Sequence, residues 1–148
     1  MPQSLANVLL HLVFSTKNRE PMIAHDLTAA LHGYMVGILD HLGSPSIQTD
    51  GTRDHVHVLL SQSRTLAVAK VVEEVKKSSS KWMKGRGVGA FAWQAGYAVF
   101  SVSESQKAAL VRYIQRQEQH HRRVGFQDEM REFLARHGVS YDERYIWD

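Results

Sequence analysis

The sequence predicts an α+β fold of the split βαβ, ferredoxin-like kind. Such a fold is a four-stranded antiparallel sheet with helices on one face; here a C-terminal helix with reactive side chains and a short terminal helix follow it. Three observations point there. Segments with strand alternation and segments with helical spacing succeed one another in the order β-α-β-β-α-β-α-α. The second and third strand segments adjoin across Asp50-Gly51, a common short hairpin signal. No linker, repeat or low-complexity tract interrupts the 148 residues, so one domain over 1–148 is expected.

The elements follow in order. Asn7 to Ser15, "NVLLHLVFS", alternates Val8, Leu10, Leu12 and Phe14 onto one face of a buried strand. The polar loop "TKNREP", Thr16 to Pro21, ends it. Asp26 opens a helix to about His41, because Leu27, Leu31, Tyr34, Ile38 and Leu42 recur at helical spacing and Gly43 stops it. Pro45 to Thr49 and His55 to Ser61 form the hairpin strands. A second helix runs from Thr65 to about Lys84 on an apolar stripe of Leu66, Val68, Ala69, Val72, Val75 and Trp82. After the loop "GRGVG" comes a fourth strand, Gln94 to Val102. Ser103 or Ser105 caps a third helix to about His121, and a shorter helix spans Gln127 to His137 before the tail "YDERYIWD".

Composition bounds the function. With 43% hydrophobic and 22% charged residues the chain belongs with folded soluble proteins rather than disordered ones. No apolar run reaches the ~18 residues of a membrane span. The N-terminus has no basic segment of the signal-peptide kind and leads straight into a strand, so a cytoplasmic location is expected. Zero cysteines exclude disulfides and thiolate metal sites. A net charge of +3 is gathered into two clusters: Lys76, Lys77, Lys81, Lys84 and Arg86, then Arg112, Arg116, Arg122 and Arg123. Both suit a polyanionic partner, although solvated helix faces have the same composition.

The chemistry centres on "DHVHVLL", Asp54 to Leu60. His55 and His57 are two apart in a strand, so both imidazoles leave the same face while Val56 and Val58 point to the other. Two strand histidines with satisfied hydrogen bonds give the same pattern, and a metal site needs a third ligand. Tyr113 and Gln117 in "YIQRQEQHH" are four apart and share a helical face. Two imidazoles and an amide oxygen suit a divalent ion such as Mg²⁺ or Mn²⁺ that bridges to a phosphate.

These segments, with "LVFSTKNR", "FAWQAGYAVFSVS" and "YDERYIWD", resemble the single-strand DNA transposases of the insertion sequence 200/605 type. Those belong to the HUH superfamily with one catalytic tyrosine and include transposases associated with repetitive extragenic palindromes. The resemblance follows the family's order over nearly the whole chain. It implies that His55, His57 and Gln117 are metal ligands for Mg²⁺ or Mn²⁺ and that Tyr113 is the nucleophile. It further implies cleavage and rejoining of single-stranded DNA through a 5′-phosphotyrosine, in a homodimer that binds hairpin DNA, with neither a membrane nor a small molecule as partner. His120, three residues past Gln117, is a candidate helper of the phenol, an exposed helix-end histidine being the favoured reading, and a structural role is expected for His11.

For DNA contact the positions are Lys17 and Arg19 after the first strand, Arg53 before the histidines, and Arg112 and Arg116 beside the tyrosine. Lys81, Lys84 and Arg86 add a patch at the end of the second helix. Trp93, Tyr97 and Phe100 are either base-stacking platforms or core.

Overall fold

A computed structural model of the chain describes residues 2–121 and 123–148, the Glu118 side chain excepted. Four strands, β1 (Leu9–Ser15), β2 (Ser46–Gly51), β3 (His55–Ser61) and β4 (Ala98–Val102), form one sheet in the order β2-β3-β1-β4. All three pairings are antiparallel. The helices are α1 (His25–His41), α2 (Val68–Gly85), α3 (Lys107–Gln115), α4 (Gln117–His121) and α5 (Phe126–Arg136). This is the expected α+β fold with an open antiparallel sheet. No helix among the described residues is long and apolar enough to cross a membrane.

Strand alternation sorts the side chains into two layers. Leu12, Phe14, Val56, Val58 and Leu60 face α1 and α2, where Leu31, Met35, Leu39, Val71, Val72, Val75 and Met83 complete the main core. Each such side chain, fully removed from water, contributes about 1.5–3 kcal/mol. The opposite face carries Val13 and Phe100 against Phe126, Met130 and Leu134 of α5, and Leu9 and Leu59 against Ile114 of α3. His11, His55 and His57 belong to this second face, so the imidazoles are roofed by α3, α4 and α5.

Three boundaries differ from the sequence reading. The hairpin turn lies at 52–54, because Asp50 and Gly51 are still paired with His57 and Val56. At Gly51 a Cβ would stand 2.2 Å from the His55 carbonyl oxygen, so glycine serves close backbone approach there rather than a turn. The fourth strand pairs only over Ala98–Val102. Before it, the carbonyls of Gln94 and Gly96 accept hydrogen bonds from Lys76 Nζ, at 2.8 and 2.5 Å, and are lost to a ladder. Finally, the third helix breaks at Arg116 (φ −103, ψ 22), leaving Tyr113 on α3 and Gln117 on α4.

Candidate active site

His55 opens β3 and is buried. Its Nδ1 lies 2.8 Å from Asp54 Oδ1 and 2.9 Å from Thr52 Oγ1. Burial pushes the Asp54 carboxyl up, but hydrogen bonds from His55 and Thr52 and the nearby Arg19 charge outweigh it and hold the group below its usual range. The ionised carboxylate accepts only, so His55 Nδ1 donates to it. Nε2, on the other side of the ring, faces Gln117 Oε1 at 3.2 Å. Gln117 Oε1 is itself fixed as the acceptor by His121 Nε2, which donates to it across 2.9 Å. His55 Nε2 and Gln117 Oε1 are both atoms that can give a lone pair to a cation placed between them.

His57, two residues on, donates from Nε2 to Glu129 Oε1 at 2.8 Å and accepts at Nδ1 from His11 Nε2, also at 2.8 Å. Burial drives its pKa down to about 4 despite the carboxylate. Phe126 stacks on His55, with centroids 4.2 Å apart and planes 21° apart, and His121 meets the same imidazole edge-on. One ligand atom each from His55, His57, His121 and Glu129 lie within 4.8 Å of one another. With the His121 Nε2–H spent on Gln117, the imidazoles of His55 and His57, the Glu129 carboxylate and the Gln117 amide oxygen make a donor set that fits a divalent cation.

Tyr113 comes from α3, with its ring edge-on to His57 and Phe133. Its hydroxyl donates to Glu129 Oε2 and lies 3.2 Å from His120 Nε2. Burial, then the charge of and hydrogen bond to Glu129, push the phenol pKa well above its usual value. The phenol therefore rests protonated. On its outer side Ala109, Arg112, Arg116, Gln119, His120 and Arg123 enclose an open pocket of about 630 Å³.

The family model of IS200-like transposases matches residues 4–117, and the chain belongs to that family. The ISDra2 transposase TnpA of Deinococcus radiodurans is 27% identical over 114 residues, covering 72% of this chain and 81% of its own. A crystal structure of a Deinococcus radiodurans R1 protein assigned as a transposase superposes with a TM-score of 0.62 at 23% identity, over 79% of this chain and 98% of that one. A REP-associated tyrosine transposase bound to a REP hairpin gives 0.56 at 13% identity, over 78% and 69%. Both share the fold.

Of the residues singled out in the sequence, His55, His57, Tyr113 and Gln117 converge on one site. Arg112 and Arg116 line the pocket at the phenol. Lys17, Arg19 and Arg53 lie at the His55 end of the sheet, where Thr16 N and Ile23 N bond the Asp54 and Arg53 carbonyls. Lys81 and Lys84 on α2, and Arg86 just past its end, are exposed in the layer across the sheet from the imidazoles. Arg122 of the second basic cluster lies outside the described residues. Trp93 and Phe100 are core, whereas Tyr97 is exposed. Glu129 and His121 went unassigned in the sequence reading. The signal for Glu129 was its place on the apolar stripe of Phe126, Met130, Phe133 and Leu134, where an unpaired carboxylate would be costly.

Proposed function

We propose that this chain is a metal-dependent transposase that cleaves and rejoins single-stranded DNA through a 5′-phosphotyrosine at Tyr113. The observation that carries the reading is the tether from nucleophile to imidazoles: the Tyr113 hydroxyl bonds Glu129, whose other oxygen bonds His57. His55, His57 and Gln117 would hold Mg²⁺ or Mn²⁺, which when bound would draw charge from the scissile phosphate. Arg112, Arg116 and Arg123 around the pocket neutralise the DNA backbone as it reaches the phenol. Lys17, Arg19 and Arg53 continue that contact at the His55 end, and Lys81, Lys84 and Arg86 bind flanking backbone on the far layer.

In the reaction the phenol proton leaves to the Glu129–His120 pair around it, with Glu129 Oε2 as its present acceptor. The phenolic oxygen then attacks phosphorus, the O–P bond forming as the P–O3′ bond breaks. The departing 3′ oxygen takes up a proton from solvent. The phosphodiester's energy is kept in the tyrosyl ester, so reversal by a 3′-hydroxyl rejoins the strand without a nucleotide cofactor. Likeness to a transposase that binds a REP hairpin supports hairpin DNA as the partner, and a homodimer is the assembly that this reading adopts.

The test is incubation with labelled single-stranded hairpin DNAs and Mn²⁺, followed by a denaturing gel. A covalent adduct that maps to Tyr113 and disappears in Tyr113→Phe is expected, with hairpin binding retained. An adduct that persists in Tyr113→Phe would refute the nucleophile assignment. A free 5′-phosphate formed without any adduct would mark water as the nucleophile instead.

A further inference from the structure

His55, His57 and Gln117 would bring no negative charge to a cation, yet a carboxylate from outside the 4–117 stretch that the family model matches, Glu129, bonds His57 at 2.8 Å. We infer that Glu129 is itself a ligand of the divalent ion, and that its second oxygen positions the Tyr113 hydroxyl beside that ion. The inference rests on the metal-dependent reading above and adds to it a residue from α5.

Geometry is the first support. Glu129 Oε1 lies 2.8 Å from His57 Nε2 and 4.0 Å from His55 Nε2, while Gln117 Oε1 lies 3.2 Å from His55 Nε2. Around an ion with bonds of about 2.1 Å, octahedral donors stand about 3.0 Å apart when adjacent and about 4.2 Å when opposite. The observed separations fall in or close to that range. The second support is charge: one carboxylate among neutral ligands offsets half of a dication's charge inside a buried site, where uncompensated charge is costly. Rigidity is the third. Glu129 is 2% exposed, and Phe126, Met130 and Leu134 on the same face of α5 pack it against the sheet. Its Oε2 is simultaneously held by Tyr113, by His120 at 3.0 Å and by His121 at 3.3 Å. A carboxylate that bridges ion and phenol fixes the distance between them, which neither α3 nor α4 can do alone across the break at Arg116.

The experiment is calorimetric titration of metal-free protein with Mn²⁺, checked by the loss of free Mn²⁺ resonance, for the wild type, Glu129→Gln and Glu129→Asp. Thermal melts establish that each variant is folded at the titration temperature. Replacing even an outer partner of a metal ligand weakens binding by about 10–100-fold. Glu129→Gln is therefore expected to lose at least about tenfold in Mn²⁺ affinity, and Glu129→Asp, which keeps the charge, to lose less. Wild-type affinity in folded Glu129→Gln overturns the inference and leaves the Tyr113 reading standing. Absence of Mn²⁺ binding by the wild type overturns both. In the same samples the wild-type carboxylate infrared band should shift on adding Mn²⁺ and that shift should be missing from Glu129→Gln; no shift in the wild type counts against ligation even if Glu129→Gln is unstable.

Discussion

Phe126→Ala tests whether α5 sits over the imidazoles in solution. The ring is buried, packs with Val13, Phe100, Met130 and Leu134, and stacks on His55 at 4.2 Å. Truncating such a phenylalanine costs about 3–5 kcal/mol, from lost transfer energy plus the cavity left behind. For a chain near 150 residues each kcal/mol moves the melting temperature by about 2–4 °C, so a fall of roughly 6–20 °C is expected. Phe126→Leu keeps most of the buried volume while removing the stack, and should cost less than about 1.5 kcal/mol. Circular-dichroism melts of the metal-free protein measure both, and Mn²⁺ titration measures the consequence for His55. A loss below about 1 kcal/mol for Phe126→Ala would refute the packing of α5 on this face, and with it the route by which Glu129 reaches His57.

Gly51→Ala forces a methyl group into the His55 carbonyl oxygen, 2.2 Å away, so the β2–β3 ladder must open at the first histidine. Overpacking of this kind costs about 1–3 kcal/mol or more, and a urea midpoint equal to the wild type's would contradict the pairing of Gly51 with Val56. Acidification of the chelated protein should also be destabilising. The folded state keeps His57 at about 4, below its ordinary 6.5, through burial, and lowers His11 for the same first reason. The stability tied to neutral His57 is complete above pH 6.5 and is lost as pH falls toward 4, because the unfolded chain takes up the proton first. The gap corresponds to on the order of 3 kcal/mol, and a urea midpoint that stays constant between pH 7.5 and 4.5 would refute it.

The parts legible in the sequence were those governed by local spacing. Alternation placed His55 and His57 on the face opposite Val56 and Val58, and the four-residue interval brought Tyr113 and Gln117 to the same site despite the break between them. The break itself was hidden, since "YIQRQEQHH" is composed of helix formers and its interruption at Arg116 arises where α3 ends and α4 turns toward His55. Asp50-Gly51 read as a turn because the dipeptide carries that statistical signal; the pairing with Val56 that displaces it is a tertiary contact. Glu129 went unassigned. Its 72-residue separation from His57 is bridged only when α5 docks on the sheet, and the hint was a charge placed on an apolar stripe.

His11 gains a use from its place at the end of the chain His11–His57–Glu129–Tyr113. In the metal-free protein its Nε2 proton points toward His57 Nδ1. Were His57 to give its Nε2 lone pair to a cation, its proton would sit on Nδ1, the hydrogen bond between the two imidazoles would reverse polarity, and His11 would shift to its Nδ1–H tautomer. A buried ring outside the proposed ligand set is thereby a built-in reporter. Nitrogen chemical shifts of His11 would read the occupancy of the proposed metal site without a probe ever entering it.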